Sequence, residues 1–214
     1  MDMVPIQSLP RGVVHLVEDD EQTREATARF LRAAGHIVQT YGNASDFLAS
    51  PHSEGCVLLD LQLPGTSGLQ VQQKLASEEE PPPVVFLSAQ ADVPDSVQAM
   101  KGGAVDFLTK TEDGGVLLNA ISRALACHNE QHARVARQRE LRTRYGRLSP
   151  REREVFAHLI SGQLNKQVGF DLGISVQTAK IHRRRVLVKM RADSIVHLAR
   201  MATDLGVTPV GSVR

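Results

Sequence analysis

Cys56-Val57-Leu58-Leu59-Asp60-Leu61-Gln62-Leu63-Pro64-Gly65 decides how the first half of this chain folds. The short apolar run reads as a strand buried on both faces of a sheet. It ends on a carboxylate, and Pro64-Gly65 then turns the chain. Open α/β sheets collect their chemistry at the carboxyl ends of the strands. An Asp at that place is a nucleophile, a metal ligand or a solvated strand end, and the residues able to reach it decide which.

Working outward, the same pattern recurs on both sides. Val13 to Val17 is a short apolar strand that stops at Glu18-Asp19-Asp20-Glu21, and an amphipathic helix follows to about Ala34, ended by Gly35. Ile37 to Tyr41 is a second strand, with Asn43 placed to cap the next helix. After the strand at 56–60 come a helix from Ser67 to Leu75, a fourth strand from Val84 to Ser88 and a helix from Val93 to Lys101. A fifth strand runs from Ala104 to Thr109 and ends at Lys110. Five strands alternating with helices predict a parallel sheet covered on both faces, an α/β doubly wound domain. Right-handed crossovers bring every strand end to one rim.

That rim carries Glu18, Asp19, Asp60, Ser88 and Lys110. A mononucleotide-binding loop would offer glycines and backbone N–H groups to a phosphate. The first loop here offers four consecutive acidic groups, which repel one. Converging carboxylates also repel each other unless a cation lies among them, and all-oxygen ligands suit Mg2+. Asp60 is then placed to attack phosphorus, Lys110 to neutralise an equatorial oxygen and Ser88 to hydrogen-bond another.

Charge separates the two halves of the 214 residues. Residues 1–126 hold 8 Lys/Arg against 17 Asp/Glu, and residues 127–214 hold 17 against 7, so a net charge of +1 conceals an acidic half and a basic half. Two domains with different partners follow, the basic one suited to nucleic acid. Aromatics make up 4% and Trp is absent, so the core is aliphatic. Cys56 and Cys127 form no metal spacing or disulfide framework. Met1 to Pro5 has no signal-peptide pattern and no apolar run approaches a membrane span, so a cytoplasmic protein with no membrane partner is expected.

Beyond Gly114-Gly115, Leu118, Ile121 and Leu125 begin a helical seam that continues to His128, His132 and Val135, and polar, Arg-rich sequence reaches Arg147. One long helix is predicted to leave the first domain as a linker. His128 and His132, four apart, are expected as exposed residues on a solvated face, although the spacing also suits a shared metal or a pH response. Three domains of sequence follow: 1–126, a helical linker 127–145, and 146–214. The last is all-α. Ser149-Pro150-Arg151-Glu152 is a helix start with a capping box, Asn165 to Leu172 is a short helix, and Ser175 caps a third from Val176 to about Met190. A fourth spans Ser194 to Leu205. Two short helices joined by a glycine-containing turn form a helix-turn-helix. The third helix holds Lys180, Arg183, Arg184, Arg185 and Lys189, a surface that phosphates bind through counterion release.

These residues carry two resemblances. Glu18-Asp19, Asp60, Ser88, Phe107 and Lys110, each at its strand end, resemble the receiver domain of a two-component response regulator over roughly residues 11–126. The resemblance implies that a sensor histidine kinase phosphorylates Asp60, that Glu18, Asp19, Asp60 and the backbone carbonyl of Gln62 hold Mg2+, and that Ser88 and Phe107 form a switch pair. Leu148 to Val155, Gly162, Asn165-Lys166, Ile174-Ser175, Thr178, Lys180, His182-Arg183 and Lys189-Met190 resemble the LuxR-type four-helix DNA-binding domain over roughly 146–206. Together they resemble a NarL/FixJ-type response regulator, closer to the FixJ-like branch. By that resemblance Lys180, Ile181 and Arg184 meet base edges of double-stranded promoter DNA. Asn165, Lys166, Thr178, His182 and Arg183 meet phosphates, and Lys189 joins the DNA-binding set. Phosphorylation is expected to form a homodimer through the face at about 93–117, and RNA polymerase is a further expected partner.

Two departures mark this sequence. Thr111 stands where receivers carry Pro after the lysine, so a trans bond and a rearranged 109–115 loop are expected. Its rival reading is a transcription factor whose receiver works without phosphate. Val168-Gly169 replaces an Ile-Ala pair, and glycine costs a helix about 1 kcal/mol. An enzyme is not expected: a phosphatase using an aspartate nucleophile needs a second carboxylate two residues on, where Gln62 stands.

Overall fold

The computed structural model describes residues 12–89 and 92–211; residues 1–11, which include the start read above for a leader, lie outside them. The chain divides into two compact units between His132 and Ala133.

In the first unit the elements run β1 (Val13–Val17), α1 (Glu21–Ala33), β2 (Ile37–Tyr41), α2 (Ala44–Ala49), β3 (Cys56–Asp60), α3 (Gly68–Leu75), β4 (Val84–Ser88), α4 (Val93–Lys101), β5 (Asp106–Thr109) and the first part of α5 (Gly114–Gly146). The strands form one sheet in the order β2-β1-β3-β4-β5. All pairs are parallel, with Leu16 beside Leu58, Leu59 beside Phe86 and Ser88 beside Thr109. Alternate side chains of each strand feed opposite faces. Val14, Leu16, Leu58 and Val85 pack with Ala28 and Leu31 of α1 and Ile121 and Leu125 of α5. Val17, Val57, Leu59 and Phe86 pack with Phe47 of α2, Val71 and Leu75 of α3 and Ala99 of α4. The sheet is therefore doubly wound, and every residue of β3 is buried. Strand order reverses between β1 and β3, which places the crevice for chemistry beyond their carboxyl ends.

Local chemistry explains the element ends. Asp20, Asn43 and Ser67 cap α1, α2 and α3, each accepting from a backbone N–H three residues on. Gly55, before β3, has φ +93°, and a Cβ there would lie 1.9 Å from the carbonyl oxygen of Val13, so this entry to the central strand requires glycine. β5 is shorter than its sequence suggests. The N–H of Ala104 bonds to the carbonyl of Ala99, completing the end of α4 instead of joining the ladder.

The predicted long helix is α5. α5 is unbroken over 33 residues; its Ala120, Ile121, Ala124 and Leu125 are buried in the first unit, and Leu141 is buried in the second. His128 corrects the expectation of a solvated face. It is partly buried, and its Nε2 accepts the N–H of Gly55 at 3.1 Å. His132 lies against it with ring centroids 4.1 Å apart and has Glu80 3.7 Å away.

In the second unit α6 (Pro150–Ile160), α7 (Asn165–Asp171), α8 (Val176–Met190) and α9 (Ile195–Leu205) surround one core. Val155, Phe156 and Leu159 meet Val168, Ala179, Val186, Met190, Leu198 and Met201 there. The capping box at Ser149 and Glu152 forms as read from the sequence, and Ser175 caps α8. Gly169 does not break α7. It is buried, and a Cβ there would lie 2.9 Å from the carbonyl oxygen of Ile174, so glycine lets α7 close on the turn that leads into α8.

Candidate functional site

At the rim of the sheet, Glu18 directly follows β1 and Asp60 ends β3; they are 1% and 5% exposed. With exposed Asp19 they bring three carboxylates together, one oxygen from each lying within 4.8 Å of the others. Lys110, just past β5, reaches across to both buried acids: its Nζ is 2.6 Å from Glu18 Oε2 and 2.7 Å from Asp60 Oδ2. The Lys110 backbone N–H donates to the carbonyl of Ser88 at 2.8 Å, which fixes where the side chain starts. No cis peptide bond occurs among the described residues, so Thr111 follows Lys110 in trans as expected. Lys110 nevertheless keeps its reach. The 109–115 loop closes on itself, with Thr109 Oγ1 3.0 Å from Thr111 Oγ1, and the lysine reaches its two partners.

Burial and neighbouring charge oppose each other here. Burial pushes the Glu18 carboxyl above its ordinary range, the nearby Asp60 charge adds to this, and Lys110 works against both. For Lys110, burial pulls the ammonium down, but its bonds to Asp60 and Glu18 outweigh that and its pKa lies above the ordinary lysine value. The Gln62 N–H donates to Asp60 Oδ1 at 3.1 Å, tying the loop after β3 to the carboxylate. Ser88 is 1% exposed at the end of β4. Phe107 is half-buried on β5, its ring stacked 6.0 Å from that of Phe86. The structure thus brings Glu18, Asp19, Asp60, Gln62, Ser88 and Lys110 to one rim, with Phe107 on the neighbouring strand. The donor set consists of oxygens at hard-cation spacing, and it fits a small divalent ion better than a transition metal.

Arg24 escaped the sequence reading. Its Nη1 donates to the backbone carbonyls of Glu18 at 2.8 Å and Asp19 at 3.0 Å. The available signal was a basic residue on α1 little more than one turn past an acidic strand end.

The second charged surface lies on α8. Lys180, Arg184 and Arg185 are exposed and Ile181 is 45% exposed, while Ala179, Val186 and Met190 face the core. Arg184 lies four residues after Lys180 and three after Ile181, so it neighbours both on the helix surface. Ile181, Arg184, Arg185, Val188 and Lys189 line a shallow groove. Lys166 is exposed on α7; Arg183 is partly buried on α8. Thr178 N–H and Oγ1 both bond to Ser175 Oγ. Asn165 Oδ1 and His182 Nδ1 are buried with no hydrogen-bond partner among the described residues.

Lys189 also serves the fold. Its Nζ sits 2.6 Å from Glu152 Oε2 and donates to the Arg147 carbonyl at 3.2 Å. Burial favours the neutral acid at Glu152, but the Lys189 ammonium and the Ser149 N–H reverse this and hold its carboxyl below the usual range. Lys189 therefore braces the start of α6 while its side chain stays 39% exposed on the same helix.

Comparison with known proteins finds a known family in each half of the chain. The response regulator receiver domain matches residues 14–122, and the luxR family of bacterial regulatory proteins matches residues 147–202. The transcriptional regulatory protein FixJ of Azorhizobium caulinodans is 37% identical over 205 residues, covering 95% of this chain and 96% of its own. The response regulator protein TodT of Pseudomonas putida is 38% identical over 196 residues, covering 91% and 86%. Among solved structures, the response regulator StyR superposes with a TM-score of 0.81 at 36% identity, over 89% of this chain and 98% of that one. Full-length FixJ from B. japonicum gives 0.55 at 32% identity, over 91% and 97%. None of the described helices is long and apolar enough to cross a membrane. An acidic rim on a doubly wound sheet and a basic helix-turn-helix thus occur in one chain with relatives that span both, and the chain belongs to the transcriptional response regulators of two-component systems, with a receiver domain and a luxR-family DNA-binding domain.

Proposed function

We propose that Asp60 is the phosphoacceptor, that a sensor histidine kinase supplies the phosphoryl group, and that Mg2+ is held by Glu18, Asp19, Asp60 and the Gln62 carbonyl. The observation that carries this reading is the convergence of three carboxylates with Lys110 bound to two of them. Mg2+, when bound, supplies positive charge facing the phosphoryl oxygens. An Asp60 oxygen attacks phosphorus; the new O–P bond forms as the P–N bond to the kinase histidine breaks, and the electron pair leaves on the imidazole nitrogen. Lys110, already at the Asp60 carboxylate, then neutralises a phosphoryl oxygen. The Ser88 hydroxyl bonds to another, and the Phe107 ring moves into the space vacated.

That movement reshapes the face of α4, β5 and the start of α5. Val97 and Met100 on α4 and Val116 on α5 are 44%, 48% and 39% exposed, an apolar surface suited to a second copy of the chain. Two α8 helices then occupy two half-sites of promoter DNA in the cytoplasm. Lys180, Ile181 and Arg184 reach base edges. Asn165, Lys166, Thr178, His182 and Arg183 reach phosphates, and RNA polymerase is met at the promoter. The reading that dispenses with phosphate drew its support from Thr111, and Lys110 stands at both carboxylates despite that residue.

Incubation with a small phosphodonor and Mg2+ is expected to add about 80 Da, one phosphoryl group on an aspartate, to a peptide containing Asp60. The wild-type chain then dimerises and protects promoter DNA more strongly. Asp60→Asn shows neither change. Operator binding by unphosphorylated Asp60→Asn equal to that of the phosphorylated wild type would sink the proposed gating.

A further inference from the structure

Lys110 and Arg24 are both basic residues at the acidic rim, and they use different atoms. Lys110 bonds to carboxylate oxygens of Glu18 and Asp60, the same kind of atom a cation needs. Arg24 leaves those oxygens alone. Its Nη1 bonds to the main-chain carbonyls of Glu18 and Asp19, while the carboxylates of these residues converge on Asp60. Two further bonds fix the same turn: the Asp20 N–H donates to Glu18 Oε1 at 3.3 Å, and the Thr23 N–H donates to Asp20 Oδ1 at 2.8 Å. Gly42, in the loop after β2, lies beside the guanidinium. A Cβ there would sit in ordinary van der Waals contact with the guanidinium, 3.5 Å from Nη1 and 3.7 Å from Cζ, so the loop packs directly on Arg24.

We propose that Arg24 is a positioning residue for the cation site: by gripping consecutive carbonyls it holds the Glu18-Asp19 backbone so that both carboxylates meet Asp60 before any cation arrives. This rests on the reading of the rim as a Mg2+ site. The physical need is specific. Glu18 to Glu21 are four consecutive acids, and their repulsion favours backbone arrangements that spread the side chains apart. The two N–H groups of Nη1 lie in the rigid guanidinium plane, one for each carbonyl, so their directions are set more firmly than those of a freely rotating ammonium. It also adds fixed positive charge near the four acids without occupying a ligand oxygen. Groups that orient ligands from behind commonly change metal affinity by about 10- to 100-fold.

The test is a MgCl2 titration of the full chain, followed through the amide NMR signals of Glu18 to Asp20 and of Asp60. Arg24→Gln is expected to bind Mg2+ on the order of tenfold more weakly. At saturating Mg2+ it should accept phosphate from a small phosphodonor at the wild-type rate. Arg24→Lys should recover part of the affinity, since one ammonium can bridge the two carbonyls with poorer geometry. A folded Arg24→Gln that binds Mg2+ within twofold of wild type overturns the proposal. So does a phosphorylation defect that persists at saturation, because a merely structural role predicts that result. If Arg24→Gln does not fold, Arg24→Lys decides alone, by an intermediate affinity or an unchanged one. No Mg2+-dependent shift in the wild-type chain would instead refute the reading of the rim itself.

Discussion

The receiver rim and the recognition helix handle charge in opposite ways. At the rim, charges are buried and matched at contact distance: Glu18 and Asp60 are almost inaccessible, and one ammonium bonds to both. On α8, Lys180, Arg184 and Arg185 stand in solvent with no ion pair between them and any described acid. The difference follows from the partners. A small ion is selected by a few groups fixed at close range, and fixed charges out of water must be compensated while they wait. A duplex is a long polyanion whose counterions are released on binding, so its site needs unmatched charge, which water and salt screen over about 8 Å at little cost. Lys189 shows the boundary between the two regimes. It lies on the basic helix but follows the logic of the rim, paired with the buried acid Glu152.

The largest expected effect comes from removing compensation at the rim. Lys110→Met leaves Glu18 and Asp60 buried without their cation, a change that costs on the order of 3 kcal/mol in comparable pairs. The variant should melt well below wild type in Mg2+-free buffer. Added Mg2+ should raise its melting temperature more than that of wild type, because a cation then restores what the ammonium provided. Equal melting of the two proteins with and without Mg2+ would erase the proposed contrast between matched and unmatched sites.

A smaller pair of effects tests the other side. Arg184→Ala should weaken promoter binding by about 1–3 kcal/mol and relax base preference at one position. Its folding stability should change by less than about 0.5 kcal/mol, as expected for an exposed position. Lys189→Gln should do the reverse. It loses about 1 kcal/mol of stability through the Glu152 bond and leaves the salt dependence of DNA binding at the wild-type slope. A slope lower by about one unit, measured by fluorescence anisotropy across salt concentrations, would return Lys189 to the phosphates.

How far the sequence disclosed these sites depends on the reach of each interaction. The five strands and their terminal residues were legible because a buried parallel strand must be a short apolar run, and Asp60, Ser88 and Lys110 each follow one directly. The caps at Asn43, Ser149 and Ser175 were legible because a cap bonds only three residues away. The contacts of Lys189 with Glu152, 37 residues distant, and of His128 with Gly55, 73 residues distant, left no local trace. Each joins two elements that only the fold brings together. The short β5 has another cause: Ala104 is buried whether or not its N–H joins the sheet, so an apolar pattern cannot place the strand's start. Thr111 foretold the trans bond, but sequence does not show the backbone bond from Lys110 to Ser88 that holds the lysine's root.

The smallest expected effect extends the comparison to uncharged but titratable groups. His128 is held below the ordinary histidine range mainly by burial, with His132 lowering it further and Glu54 and Glu80 acting in the opposite sense. His15 is lowered by burial and by His52, against the bond from its Nε2 to the Glu54 carbonyl. The Gly55 N–H needs the lone pair on His128 Nε2, so this bond exists only with the neutral ring. The unfolded chain takes up protons near the ordinary value of 6.5 while the folded chain resists. The stabilisation is therefore complete above that pH and is lost as pH falls through the lowered folded value. Glu18, whose pKa is raised, slopes the other way, so the quantity to measure is the difference between wild type and His128→Gln. Glutamine can accept the Gly55 N–H but cannot be protonated there. Between pH 7.5 and 5.5 wild type should lose up to about 1 kcal/mol more than this variant, the net worth of one such bond. Denaturant unfolding at the two pH values reads the difference directly. Parallel pH profiles would mean that His128 keeps its place against Gly55 through packing alone.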